Sequence, residues 1–334
     1  NLYGDVPLIL TSDYEVNSKI GRTSRVNVYK QIESDLTQAD LVLDNTYVAA
    51  NTTKSSTDRL RPNKATVNAL QARVYLYQKK YSEAEVAATK VIEQSTTYSF
   101  SSLDNVFLAN SSETIWALQP VTTSLNTWEG FLFILPSDGP NYDKPFFLSP
   151  SLMDSFEPGD NRKNAWVGSV TINDGTDDIT YSYPAKYKTD YIDGSKDIKE
   201  YTIVFRLAEQ YLIRAEAKNE QGNTGGAAED LNALRNRSRA DMTFDVQNPL
   251  PAISSTLSKD QMSDVIMHER RVELFTEWGH RWFDLKRSPT LDAVMAPATA
   301  IKGGIWANYK ALYPIPLSDI LLNPAITQNP GYSN

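Results

Sequence analysis

Four side chains spaced one helical turn apart, Glu269, Glu273, Glu277 and Arg281, form the first constellation that could do chemistry. Two carboxylates about 5 to 9.5 Å apart are what glycoside hydrolysis needs, one as the acid and one as nucleophile or base. Here Arg270, Arg271 and Arg281 surround them. Neighbouring guanidinium groups hold carboxylates ionised and so remove the acid, and the expected role is an ion-pair network. Asp284 with Arg287, and Arg206 with Glu209, have the three-residue spacing of ordinary helix pairs. The two histidines, His268 and His280, stand too far apart for a familiar metal-ligand spacing. His268 falls on the apolar stripe of its helix and reads as a core or boundary residue, and His280 reads as lying near a helix end. The absence of cysteine excludes thiolate catalysis, disulfides and Cys-ligated metals. No Ser–His–Asp arrangement can be assembled, and Gly225-Gly226 follows no strand and makes no phosphate loop. No catalytic residue, metal site or cofactor is expected.

The aromatic residues, 6 Trp, 18 Tyr and 11 Phe, point elsewhere. A sugar ring offers a C–H face that stacks on an aromatic face, while its hydroxyls need polar partners alongside. Residues 126–144 supply both kinds in Trp128, Phe131, Asn141, Tyr142 and Asp143. Trp166 follows the polar run Asp160-Asn161-Arg162-Lys163-Asn164. The expected ligand-binding set is therefore Trp128, Asn141, Tyr142, Asp143 and Trp166. The alternative is that these rings only pack the loops onto the helices.

The elements that must position them are mostly helices. Tyr29, Ile32, Leu36, Ala39 and Leu43 step by three and four, one face of an amphipathic helix that starts at Ser24. Residues 45–58, rich in Asn, Thr and Ser, read as a loop. Arg61-Pro62 is expected to open a second helix with the stripe Ala65, Ala69, Ala72 and Leu76. A partner helix over 82–94 turns Ala84, Ala87, Ala88 and Val91 inward, and such small residues let two helix axes approach closely. A shift of 141 residues lays Gln71-Ala72-Arg73-Val74-Tyr75-Leu76 on Leu212-Ile213-Arg214-Ala215-Glu216-Ala217, with a second helix following from Ala227 to Leu234. Two Ala-rich hairpins of this size look like tetratricopeptide-type repeats. Helical periodicity is expected from Val204, and again over 259–286 with an interruption at Gly279. Between the hairpins, 96–201 holds seven prolines and reads as long loops with a few short strands, a setting that usually binds something. The tail, with Pro314, Pro316, Pro324 and Pro330, reads as extended.

The chain has 334 residues, and its 33 basic and 41 acidic side chains leave a net charge of −8. That field repels a phosphate backbone and no Lys/Arg block offsets it, which argues against nucleic acid. The longest apolar run, Phe131 to Leu135, is far short of the roughly 20 residues of a membrane helix. Asn1-Leu2-Tyr3-Gly4-Asp5 does not read as a signal peptide, so any export signal or lipid anchor is expected either upstream or not at all.

Several stretches carry a family resemblance. Glu269-Arg270-Arg271-Val272-Glu273-Leu274, then Glu277-Trp278-Gly279-His280-Arg281-Trp282-Phe283-Asp284-Leu285-Lys286-Arg287, is similar to a signature of the SusD/RagB-like family. Tyr313-Pro314-Ile315-Pro316 and Asn323-Pro324, with Gln328-Asn329-Pro330-Gly331-Tyr332, resemble its terminal signature. Tyr3-Gly4-Asp5-Val6-Pro7-Leu8 is similar to the segment after the family's first repeat helices, and Phe205-Arg206-Leu207-Ala208-Glu209 with Ala215-Glu216-Ala217 to its last hairpin. Trp278 is a departure, because members usually have Glu-Gly there. The resemblance implies a mainly α fold, an alpha-alpha superhelix of tetratricopeptide-like hairpins with a large irregular loop-rich region. On that reading 1–334 is one unit lacking the family's N-terminal portion. Its parts are a helix and hairpin at 24–95, a ligand-binding region at 96–201, and the second hairpin, signature helix and tail at 202–334. It also implies a non-catalytic, lipid-anchored protein on the outer face of the outer membrane of Bacteroidota. Such a protein binds oligosaccharides, polysaccharides or other nutrients for a SusC-like TonB-dependent transporter. A repeat-type scaffold of the transporter complex without its own ligand site is the alternative, and a glycoside hydrolase comes third.

Overall fold

The computed structural model describes residues 1–51, 53–122, 125–191 and 198–333. In chain order its helices are α1 (Tyr14–Asn17), α2 (Arg25–Val42), α3 (Lys64–Tyr77), α4 (Tyr81–Ile92), α5 (Trp128–Phe133), α6 (Pro150–Met153) and α7 (Asn161–Trp166). After these come α8 (Leu207–Glu220), α9 (Thr224–Ser238), α10 (Lys259–Glu273), α11 (His280–Arg287), α12 (Leu291–Ile301) and α13 (Leu317–Leu322). The strands are β1 (Thr114–Leu118), β2 (Val167–Asn173), β3 (Asp178–Pro184) and β4 (Thr202–Arg206). The fold is mainly helical, and among the described residues there are two sheets of two strands each. Backbone contacts divide the chain into residues 1–38 with 279–334, and residues 39–278.

The larger unit is built on the two alanine-rich hairpins. α3 and α4 form the first, α8 and α9 the second, and α4 lies against α8. Ala72, Leu76, Ala84, Ala87, Ala88, Ile213 and Ala217 close that seam. Side chains this small bring the helix axes together and leave little void. A second cluster joins α8 and α9 to α10 through Leu212, Leu231, Leu234, Met262 and Ile266. α3 starts at Lys64, after the expected Pro62, because Asn63 caps it reciprocally: its Oδ1 accepts Thr66 N–H at 3.0 Å and Thr66 Oγ1 accepts Asn63 N–H at 3.3 Å.

Two expectations are corrected here. The helix does not begin at Val204 but at Leu207; residues 202–206 form β4, which pairs antiparallel with β1 from Thr114↔Arg206 to Leu118↔Thr202. β-branched Thr202, Ile203 and Val204 favour that pleat. The helix expected over 259–286 ends at Glu273, earlier than Gly279. Thr276, Trp278 and Gly279 all take left-handed backbone angles, φ 57°, 45° and 70°, which no helix can continue through. The Trp278 indole N–H donates to Ile203 O at 2.6 Å and fixes the reversal.

The smaller unit is held by polar groups more than by a core. Among the described residues only Leu36, Leu285 and Ile315 are its buried apolar side chains. Arg22 donates to Asp5 O, Thr327 O, Tyr3 O and Asn329 Oδ1 at 2.5–3.0 Å. Asn329 Nδ2 in turn donates to Tyr3 O and Tyr313 O. The proline-rich tail is extended apart from the short α13. α12, with Pro297 inside it, was not anticipated from the sequence.

Candidate functional site

A cleft of about 230 Å³ opens in the loop-rich part of the larger unit, walled by Gln119, Val121, Asn126, Trp128, Glu129 and Thr202 among others. The β1–β4 pairing brings Leu118 opposite Thr202 and so joins two walls that are far apart in sequence. α5 supplies the third. Thr127 Oγ1 caps α5 by accepting Gly130 N–H at 3.0 Å. Asn126 Oδ1 accepts the amides of Lys199 (2.7 Å) and Glu200 (2.9 Å). The Glu200 carboxylate, pushed up in pKa by burial, accepts the amides of Lys188 and Thr189 at 2.6 and 3.1 Å. These bonds fix α5 on the chain behind it. A Cβ on Gly130 would stand 2.2 Å from Thr189 O, so only glycine fits at this seam. Gly130→Ala is expected to cost about 1–3 kcal/mol, read as a lower urea midpoint, and to displace α5. An unchanged midpoint would show that α5 is not seated there.

Trp128 is 58% exposed and meets Phe131 edge to face at 5.7 Å. Lys144 lies over Phe131 at 5.3 Å, with its ammonium on Asp190 (2.6 Å) and Ile134 O (3.0 Å). Asn126 is fully buried, and among the described residues its Nδ2 has no hydrogen-bond partner. An unsatisfied buried donor is costly unless something else meets it. Glu129 Oε2 accepts the Thr202 hydroxyl at 2.9 Å. An aromatic face, a hydroxyl and a carboxylate around a small hollow suit one sugar ring, and the volume lies below the roughly 300–1,000 Å³ of drug-sized sites.

The other expected ligand residues are placed differently. Asn141 Oδ1 accepts the amides of Asp143 and Lys144 at 3.0 and 2.9 Å, so it shapes a turn. Tyr142 is 98% exposed, and Asp143 lies in the same turn. Trp166 is corrected: it is fully buried, its indole donates to Leu103 O at 2.9 Å, and it meets Phe107 edge to face. Of its polar neighbours in sequence, Asp160 and Arg162 face inward in a buried ion-pair network, while Lys163 and Asn164 are exposed. Gln119, Glu129 and Thr202 were missed. Glu129 could have been found beside Trp128, whereas Thr202 had no local signal.

That network is where the regularly spaced carboxylates lie. Glu273 receives Arg162 at 2.9 Å, Arg206 at 2.6 Å and Arg237 at 2.6 Å. Glu269 receives Arg162 and Arg235, and Glu277 receives Arg206 and Lys186. Burial alone would raise the pKa of Glu273, but Arg237, Arg206 and Arg162 overcome it and hold the group well below the carboxylate range. Glu277, also buried, is lowered to about 2 by Arg206 and Lys186. Lys186 is drawn down to about 8 by burial against the opposing pull of Glu277, and its ammonium lies 4.0 Å from the Phe275 ring centre. Neither Glu273 nor Glu277 holds a proton to give at neutral pH.

The pairings differ in part from expectation. Arg206 does not pair with Glu209, because it ends β4 outside the helix, and Glu209 is held by Arg73 at 2.6 Å. Arg281 does not extend the carboxylate face, since it lies on α11 beyond the break. Arg270 is buried in α10, Arg271 donates to Ser151 Oγ at 2.8 Å, and Asp284 pairs with Arg287 as expected. His268 sits 3.3 Å from Glu157 and His280 opens α11.

A cavity of about 510 Å³ in the smaller unit is lined by Asp5, Arg22 and Arg25 among others. Its Arg22 is committed to four acceptors, and Asp5 to the amide of Arg25. It lacks the aromatic wall of the α5 cleft.

Comparison with known proteins agrees with the fold. Residues 121–332 match the model of the SusD family. SusD-like protein P2 of Formosa agariphila is 26% identical over 368 aligned positions, which cover 99% of this chain and 70% of the relative. The starch-binding protein SusD of Bacteroides thetaiotaomicron is 37% identical over 133, covering 39% of this chain and 21% of that one. A solved laminarin binding SusD-like protein superposes with a TM-score of 0.72 at 23% identity, covering 99% and 75% of the two chains. The chain thus spans about 70–75% of the relatives it matches end to end. With the family model matching well over half its length, the chain belongs to the SusD family.

Proposed function

We propose that this chain is a non-catalytic glycan-binding protein that holds a sugar ring in the α5 cleft, against Trp128. The observation that carries the reading is the exposed Trp128 ring on a cleft that also holds the Glu129 carboxylate and the Thr202 hydroxyl. Stacking supplies affinity for the ring's C–H face, and the Glu129 carboxylate accepts a ring hydroxyl. Tyr142, with Asn141 and Asp143, stands on a turn tethered to α5 through Lys144 and serves as an outer contact for a longer guest. The family relatives named for starch and laminarin support a glycan as the guest. In the cell the protein works on the outer-membrane surface, held by a lipid anchor, and passes its guest to a SusC-like TonB-dependent transporter. No described helix is long and apolar enough to cross a membrane, which fits an anchor of that kind. Calorimetric titration with neutral oligosaccharides, α- and β-linked, is expected to give saturable heat with no release of reducing ends. An absence of heat across the whole panel would overturn the reading.

A further inference from the structure

We infer that the sugar ring taken by the α5 cleft is uncharged, and that Glu129 is the residue that excludes uronate and sulfate-ester rings. The inference rests on the glycan-binding reading above and adds the chemical class of the guest.

Among the described residues that line the cleft, Glu129 is the single charged side chain, and no Lys, Arg or His is present. Behind the cleft the Lys199 amide donates to Asn126 Oδ1. The Glu129 carboxylate is half-buried. Glu129 also borders a second hollow, of about 10 Å³, lined by Phe133, Pro184, Tyr187 and Thr276 and by Lys186 and Glu277, whose charges are paired with each other. That hollow has room for no more than a single water, so solvent screens the carboxylate poorly from that direction. Oε2 is occupied by the Thr202 hydroxyl, and among the described residues Oε1 makes no hydrogen bond. A lone acceptor oxygen beside an aromatic wall is matched by a sugar hydroxyl, in a charge-assisted bond. It is mismatched by a carboxylate or sulfate. An anionic ring stacked on Trp128 would bring its charge close to Glu129 with no cation in the wall to offset it, a repulsive element of the kind that sets specificity. The net charge of −8 adds a weaker repulsion of the same sign.

The test compares a glycan with itself. Whichever neutral oligosaccharide binds is selectively oxidised from primary alcohol to carboxylate, and both forms are titrated calorimetrically into the full chain at low ionic strength. The wild type should bind the oxidised form at least about tenfold more weakly. Glu129→Gln keeps the size of the side chain and removes its charge. It should narrow the ratio to within about threefold while the neutral form loses less than about tenfold. Added salt should shrink the wild-type ratio by more than that of Glu129→Gln. Equal or tighter wild-type binding of the oxidised form, still abolished by Trp128→Ala, would overturn the inference and leave the glycan reading standing. A wild-type ratio that survives in Glu129→Gln would also overturn it, by assigning the selectivity to another group. Binding of neither form would instead remove the reading on which the inference rests.

Discussion

Glu273→Ala is expected to lower the stability of the purified chain by about 3–5 kcal/mol, measured as a shift in the urea midpoint. The side chain is wholly inaccessible and accepts hydrogen bonds from three guanidinium groups, those of Arg162, Arg206 and Arg237. Truncation leaves all three buried with one counter-ion fewer, and a domain usually has only about 5–15 kcal/mol in hand. Arg162 keeps Asp160 and Glu269, Arg206 keeps Glu277, and Arg237 keeps Glu113, so the loss is large without being total. A shift under about 1 kcal/mol would show that the cluster contributes little. The pH dependence has a fixed sign. The folded pKa of Glu273 lies below its unfolded value, as does that of Glu277, so the contribution is complete above about pH 4.3. It is lost as pH falls through the folded values, and for Glu277 that means down to about 2. Wild-type stability should therefore fall steeply below pH 4, and Glu273→Ala should flatten that limb.

The second large effect is on binding. Trp128→Ala should weaken glycan affinity about thirtyfold or more, the loss of a hot-spot residue worth at least ~2 kcal/mol. The melting temperature should stay within about 2 °C, because the ring is largely exposed and its one ring partner is Phe131. The aromatic residue that looks most similar in sequence should do the reverse. Trp166→Ala empties a site in the core cluster of Phe107, Phe156 and Phe275 and should cost about 3–5 kcal/mol of stability. Full-affinity binding by a well-folded Trp128→Ala would place the guest elsewhere.

The contrast between these two tryptophans marks what the sequence could show. The alanine spacing of α4 (Ala84, Ala87, Ala88) identified a close hairpin with α3, and the 141-residue offset identified a second hairpin, because helix periodicity is a local property; that α4 packs on α8 was not legible. Trp128 was legible as a ring among polar residues. Trp166 has an equally polar approach, yet Arg162 turns inward to meet Glu269 and Glu273, more than a hundred residues away. No local pattern carries that. Thr202 reaches the cleft only through the pairing of β4 with β1, where its hydroxyl meets Glu129. Where the signature helix stops was half visible: Gly279 was flagged, but Thr276 and Trp278 take left-handed angles that their residue types do not advertise.

The scarcity of buried apolar side chains in residues 1–38 and 279–334 bears on how the molecule breathes. Leu36, Leu285 and Ile315 give little to lose on opening, and Arg22 and Asn329 tie the segments chiefly through carbonyls that water can also satisfy. Protection against deuterium exchange should therefore be graded, with amides such as Val6 and Thr23 labelling through frequent sub-global excursions. The amides of α3 and α8, beneath the alanine seam, should wait for cooperative unfolding of their whole unit.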